Sequence, residues 1–226
     1  MQASPQTKQP RVAVVDDHYW IREGWKLFLE NADNMAFAWA AASAAEAVRK
    51  VDEDAPAVLL VDISLPDRLG LDLIKELHVK HPNLRMLAFS MHDEKQFAQR
   101  ALKAGANGYV MKSASQQDLE TALRLVLSGG VAVSNEISQD IVKSFSSATS
   151  GDTTDPTLEL SNREFEIFSM VGHGKSSKQI AVSLGISPNT VDVHKMNIRT
   201  KLKMGGAREL AYFAVRWVEG QKFGRL

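Results

Sequence analysis

Along residues 11–130, short apolar runs alternate with longer stretches whose apolar positions recur at three- and four-residue spacing. The runs are RVAVV (11–15), MAFAWA (35–40), AVLLV (57–61), RMLAFS (85–90) and GYVMK (108–112). Their length and side-chain types predict five β-strands. Between them, AAEAVRKVDED, GLDLIKELHVKH, EKQFAQRALKAGA and QQDLETALRLVLSGG have helical periodicity. Phe97, Ala101 and Ala104 fall on one face of the third, and Leu119, Ala122, Leu123 and Val126 on one face of the fourth. Gly105 and Gly129 are predicted helix stops. Strands alternating with helices predict a doubly wound α/β domain, a five-stranded parallel sheet covered on both faces. The uninterrupted VLLV fits a strand buried on both sides.

The pattern then changes. Residues 131–158 become polar and acidic, with SFSSATSGDTTDP inside them, and are expected to be a linker. Its first part, NEISQDIVKSF, has helical spacing at Ile137, Ile141 and Val142. From residue 159 onward no strand pattern remains. Helices are expected at about 161–172, 176–184, 188–203 and 206–219, a small all-α domain over 159–226. A chain of 226 residues accommodates two such domains, 11–130 and 159–226, after a polar tail at 1–10 that is expected to be disordered.

Composition adds two exclusions and one asymmetry. There is no cysteine, which excludes a disulfide framework and a thiolate metal site. The longest apolar run, Met35–Ala42, has eight residues, too few to cross a membrane, and the polar start MQASPQTKQP lacks a signal-peptide core. A cytoplasmic protein without membrane contact is expected. The formal net charge is zero, yet residues 161–226 hold 11 basic and 5 acidic side chains, a net of +6. Residues 1–134 hold 15 and 17, a net of −2, and residues 135–160 hold 1 and 5, a net of −4. An anionic partner is therefore expected at the C-terminal end.

In an open parallel sheet, ligands sit beyond the C-terminal strand ends. There this chain places Asp16 and Asp17 after the first strand, Asp62 after the third, Ser90 on the fourth and Lys112 on the fifth. Singly, each has an ordinary reading: an Asp after a strand is usually a turn or capping residue, and a Lys is usually solvated. Together, three carboxylates at one edge require a counter-charge. Mg²⁺ fits, because it takes hard oxygen ligands and pairs carboxylates with phosphate oxygens. Asp62 is then a candidate nucleophile forming an aspartyl-phosphate, with Lys112 and Ser90 on the phosphoryl oxygens.

The stretches VVDDHYWIREGWKLFLE, LLVDISLPDRLGLDLIKEL and LAFSMHDEKQFAQRALKAGANGYVMKS, with the spacing among them, resemble a response-regulator receiver domain of the NarL/FixJ type. The resemblance covers residues 11 to about 130 and implies a flavodoxin-like fold. It implies that Asp62 accepts a phosphoryl group from a histidine kinase. It also implies Mg²⁺ ligation by Asp16 or Asp17, by Asp62 and by the backbone carbonyl of Ser64. Ser90 and Tyr109 would switch together on phosphorylation. Taken without the family, Tyr109 reads as ordinary packing at a strand start. Ser113 stands where many receivers carry proline after the lysine.

In SPNTVDVHKMNIRTKLK, residues 187–203, Ser187 is a good N-cap and Pro188 fits the first turn. Val191, Ile198 and Leu202 form an apolar stripe, with His194 beside it as a packed histidine. Another face is mixed and has basic flanks, a pattern suited to a DNA major groove. The preceding SSKQIAVSLGIS supplies a first helix and a turn at Gly185, so a helix–turn–helix competes with a generic helical bundle. LSNREFEIFSMVGHGKSSKQIAVSLGISPNTVDVHKMNIRTKLKM resembles the LuxR-type DNA-binding domain. The resemblance implies that Asn189, Asp192, Val193 and Met196 face the groove, and that Lys178, Thr190, Lys195, Arg199 and Lys201 lie near phosphates. Asp192 and Met196 depart from the basic or other polar residues often found at those positions. The last helix, ARELAYFAVRWVE, puts Leu210, Phe213, Ala214 and Trp217 on a core stripe. The family links this helix to dimerisation on DNA.

Together these expectations describe a phosphorylation-switched transcription regulator that forms a homodimer when phosphorylated or DNA-bound. It would not be an enzyme beyond its own phosphorylation and dephosphorylation at Asp62. An aspartyl-phosphate phosphatase would want a second Asp two residues after the nucleophile, where this chain has Ser64. A helix–turn–helix that binds protein rather than DNA is disfavoured by the basic flanks of 188–203.

Overall fold

Val58–Val61 has no exposed side chain and forms the centre of a five-stranded parallel sheet. The computed structural model describes residues 9–32, 34–139 and 155–223. The chain divides into two units, 1–140 and 141–226. In the first, strands and helices alternate: β1 (Arg11–Val15), α1 (Tyr19–Glu30), β2 (Ala36–Ala41), α2 (Ala44–Glu53), β3 (Val58–Val61), α3 (Gly70–Lys80), β4 (Arg85–Ser90), α4 (Glu94–Ala104), β5 (Tyr109–Met111) and α5 (Gln116–Leu127). The strand order is β2-β1-β3-β4-β5, all parallel. This is the doubly wound α/β arrangement that the alternation predicts.

Burial explains the elements. Val12, Val14, Leu60, Leu87 and Phe89 on the strands pack with Trp25 and Leu29 of α1 and with Leu123 and Val126 of α5. Each such side chain, taken fully out of water, contributes about 1.5–3 kcal/mol. Trp25 meets the Phe89 ring edge-on with centroids 5.2 Å apart. Ser43, Asp93 and Ser115 cap α2, α4 and α5 through their side chains. Gly105 ends α4 in a left-handed conformation (φ 109°), and a Cβ there would overlap the His78 ring.

Element ends differ from the sequence reading by a few residues, and three of the differences are informative. Strand β2 runs over 36–41 rather than 35–40; a register shift between Val12 and Val14 of β1 carries its pairing on to Ala41. Pro10, read as tail, accepts the Ala36 N–H at 3.0 Å; residues 1–8 of the expected tail lie outside the described residues. Residues 131–139, read as the start of a linker, pack on the first unit. Ala132 forms a parallel bridge with Gly108 and accepts the Tyr109 N–H at 2.7 Å, and Ile137 is buried. The edge of β5 would otherwise leave these backbone groups unpaired. Residues 135–139 are helical; Ile141 and Val142 of the expected helix lie outside the described residues.

The second unit opens with a 3₁₀ turn, Pro156–Glu159, so the end of the expected linker is also structured. Four helices follow: α6 (Asn162–Gly172), α7 (Ser177–Leu184), α8 (Pro188–Lys201) and α9 (Ala207–Phe223). Ser161 with Glu164, and Ser176 with Gln179, form capping boxes on α6 and α7. Gly185 takes the left-handed turn between α7 and α8 (φ 62°). Phe165 and Phe168 of α6 meet Trp217 of α9 edge-on, at 5.4 and 5.6 Å between centroids. The helices approach closely at Gly172, where a Cβ would meet Ala214 O at 2.5 Å. No helix among the described residues is long and apolar enough to cross a membrane.

Candidate functional site

The C-terminal ends of β1, β3, β4 and β5 meet at one edge of the first unit. The Asp62 N–H donates to Val15 O (2.9 Å), and Lys112 N–H donates to Ser90 O (2.8 Å). This strand pairing brings together four residues that lie up to 96 positions apart, Asp16 to Lys112. Asp16, Asp62 and Ser90 are buried, at 0%, 3% and 0% exposure. Lys112 Nζ bridges the two buried carboxylates, 2.5 Å from Asp16 Oδ2 and 2.7 Å from Asp62 Oδ2. Asp62 Oδ1 accepts the Ser64 N–H at 3.2 Å. Asp17 is exposed and contacts His18 Nδ1 at 2.8 Å.

One ammonium thus faces two buried carboxylates, with a third beside them. Burial raises Asp62 above its ordinary value; Lys112 opposes this and Asp16 adds to it. For Lys112, burial acts downward but is outweighed by its hydrogen bonds to Asp16 and Asp62, so the ammonium is held charged. The net deficit of positive charge and the donor chemistry both suit a hard divalent cation. One donor atom each from Asp16, Asp17, His18 and Asp62 lies within 4.8 Å of the others.

Several residues that shape this pocket carry no sequence signal of their own. Arg22 of α1 donates to the carbonyl oxygens of Asp16 (2.8 Å) and Asp17 (2.9 Å), pinning the β1–α1 loop. His18 donates its N–H to Asp16 Oδ1 at 2.9 Å; only its place after the Asp pair hints at this. Gly70 starts α3 with its N–H on Ile63 O (2.8 Å), and a Cβ there would overlap the Asp62 carbonyl oxygen. His92 links the β4–α4 loop to the pocket: its N–H donates to Ser90 Oγ (3.2 Å) and its Nε2 lies 3.0 Å from Ser64 Oγ. Tyr109, 1% exposed, donates its hydroxyl to His92 O at 2.7 Å. Burial raises its phenol, so it stays a donor.

In the second unit, Val191 and Ile198 bury the inner stripe of α8 at 0% exposure, and Leu202 is half-buried. Asn189, Asp192, Val193 and Met196 are exposed together on the outer side. Lys178 is exposed on α7, and Lys195 and Arg199 are half-buried on one flank of α8. Three predicted phosphate contacts, Thr190, Lys201 and Lys195, have internal partners. Thr190 shares the helix cap, its N–H donating to Ser187 Oγ at 3.0 Å. Lys201 donates to Glu164 Oε2 at 2.6 Å and ties α8 to α6. Asp192 and Lys195 are joined through Ser177 on α7, a residue the sequence reading passed over. His194 is half-buried, and its Nδ1 has no hydrogen-bond partner among the described residues.

Residues 12–124 match the response regulator receiver domain, and residues 158–214 match the bacterial regulatory proteins of the luxR family. The oxygen regulatory protein NreC of Staphylococcus aureus is 34% identical over 210 residues, covering 91% of this chain and 97% of that protein. Among solved structures, a LuxR-family two-component response regulator from Aurantimonas sp. SI85-9A1 is 34% identical. It covers 61% of this chain and 98% of its own, with a TM-score of 0.56. RcsB from Salmonella enterica serovar Typhimurium, bound to promoter rprA with the phosphomimetic BeF3-, shares the fold at a TM-score of 0.59 and 22% identity. It covers 92% of this chain and 99% of its own. The chain belongs to the two-component response regulators of the luxR family, which join a receiver domain to a DNA-binding domain and regulate transcription in response to phosphorylation.

Proposed function

We propose that Asp62 is the phosphoryl acceptor. The observation that carries this is a carboxylate buried at the end of the central strand, paired with Lys112 and beside Asp16. A carboxylate oxygen of Asp62 forms the new P–O bond. The P–N bond of a phosphohistidine on the partner kinase breaks, its electron pair leaving on the imidazole. Asp16, Asp17, Asp62 and the Ser64 carbonyl would hold Mg²⁺, which offsets charge on the transferring group. Lys112 and Ser90 bind phosphoryl oxygens. Pulling Ser90 Oγ toward them breaks its bond to the His92 N–H, and the same loop carries the Tyr109 contact. The switch therefore passes from Ser90 to Tyr109 through His92.

The output is binding of a DNA major groove by α8. Asn189, Asp192, Val193 and Met196 meet bases, and Lys178, Thr190, Lys195 and Arg199 lie near phosphates. Phosphorylation favours a homodimer. Trp20, 81% exposed, stands beside a groove lined by Ile21, Gly24, Phe28 and Leu119, so knob and hole share one face, as a two-fold contact requires. This reading places the protein in the cytoplasm.

The test is phosphoryl uptake from a labelled small-molecule phosphodonor with Mg²⁺. Wild type is expected to gain one acid-stable, base-labile label and Asp62→Asn none. Equal labelling of the variant would overturn the assignment. Sedimentation with beryllofluoride should show wild type moving toward dimer and Trp20→Ser remaining monomeric.

A further inference from the structure

The exposed arc of α8 formed by Asn189, Asp192, Val193 and Met196 carries no cation. These residues span about 100° of the helix circumference. Val193 and Met196 are 51% and 50% exposed although both are apolar. The cations stand at the edge of this arc, at Lys195 and Arg199. Guanine presents only acceptors, N7 and O6, in the major groove and is read by cationic or other donors. A carboxylate at that position would be repelled. Cytosine presents an amino donor and thymine a methyl group, and these match a carboxylate and two apolar tips.

A carboxylate close to DNA phosphates needs compensation, and the structure supplies it. Asp192 Oδ1 accepts the Ser177 hydroxyl at 2.7 Å, and Lys195 Nζ donates to that hydroxyl oxygen at 2.8 Å. Ser177 is the first residue of α7, so the Asp192 carboxylate lies at the positive end of a helix as well as one hydroxyl away from an ammonium. The relay fixes the carboxylate through one oxygen. The other oxygen has no hydrogen bond to a described residue.

We infer that α8 reads a cytosine amino group through Asp192 and thymine methyl groups through Val193 and Met196, with Ser177 and Lys195 as positioning residues for Asp192. This rests on the DNA-binding reading above and names the bases that it contacts. No α8 side chain is assigned to guanine N7 or O6.

The experiment is selection of binding sites from a random duplex pool by the full chain with beryllofluoride and Mg²⁺. Affinities for the selected site and its single changes follow. Exchanging the cytosine pair for a thymine pair should weaken wild-type binding about tenfold or more. Asp192→Asn should shrink that preference to within about threefold, and Ser177→Ala should reduce it in the same direction. A merely structural role for Ser177 would lower affinity for both sites alike and leave the ratio unchanged. Replacing contacted thymines by uracil removes only a methyl and needs no protein variant. It should cost wild type about fourfold per site and Met196→Ala less. A selected site that depends on guanine N7, lost with 7-deazaguanine and indifferent to uracil, overturns the inference and leaves DNA binding standing. Absence of binding to any duplex overturns both.

Discussion

At the residue scale, the receiver pocket is an electrostatic problem that ligand binding solves. Asp16 and Asp62 are both buried and share one ammonium, and burial disfavours the ionised form of Asp62. Removing one carboxylate should therefore stabilise the unliganded fold. Asp62→Asn is expected to melt a few degrees above wild type in a Mg²⁺-free buffer, by calorimetry of the receiver transition. Saturating Mg²⁺ should reverse the order. At 100 times its dissociation constant a ligand adds about 2.7 kcal/mol to wild type, and the variant, with a ligand removed, should gain much less. A variant that gains as much as wild type would remove Asp62 from the ligand set. Gly70 supports the same residue without touching its chemistry. Gly70→Ala places a methyl on the Asp62 carbonyl oxygen, so phosphoryl uptake should fall at least tenfold while Lys112 and Asp16 remain intact. Uptake within twofold of wild type would show that the β3–α3 loop yields at no cost.

At the scale of elements, periodicity marks what is buried and is silent on what is tied. The five strands and the α8 stripe of Val191 and Ile198 were legible because burial on both faces, or on one stripe, leaves a repeating signature. The convergence of Asp16, Asp62, Ser90 and Lys112 was legible once strand order was assumed, since each ends a strand. Arg22, Gly70 and His92 were not, because their work is done on backbone atoms that no residue pattern records. Residues 131–139 looked like linker because an edge strand recruits them by backbone pairing at Ala132 rather than by an apolar run. Lys201 is the instructive case. Its place on a basic flank suggests a phosphate contact, yet it donates to Glu164, a carboxylate at 5% exposure. Burial acts to raise Glu164, but the bonds from Lys201 and Ser161 outweigh it and hold the carboxyl below 4.5. The stability this brings is present above pH 4.5 and lost as pH falls through the lower folded value. Lys201→Ala leaves a buried carboxylate with fewer partners. It should cost the second unit about 1–2 kcal/mol and move the onset of acid unfolding to higher pH. Hydrogen exchange of α6 amides reads both effects, and an unchanged acid onset would mean that Ser161 alone holds Glu164.

At the scale of the whole molecule, a chain with no net charge places a net of +6 on residues 161–226. That distribution lets one end attract a polyanion without making the whole protein adhere to it. Each phosphate neutralised releases counterions, so the logarithm of affinity falls against the logarithm of salt by about 0.9 per contact on B-DNA. With Lys201 engaged by Glu164, the cations proposed to meet phosphates are Lys178, Lys195 and Arg199 in each copy. A dimer then predicts a slope of about −5, and Lys178→Ala or Arg199→Ala should flatten it by nearly two units. Lys201→Ala should leave the slope alone while lowering stability, which separates a phosphate contact from an internal tie. Phosphorylation acts on a different quantity. A receiver that biases the fraction of DNA-competent dimer changes affinity at every salt by a common factor, about 5- to 150-fold for ordinary coupling energies. Plots with and without beryllofluoride should therefore be parallel for wild type and coincide for Asp62→Asn. Lines that diverge with salt would mean that the phosphoryl group alters the set of phosphate contacts itself, so that the switch would reach α8 rather than the dimer equilibrium alone.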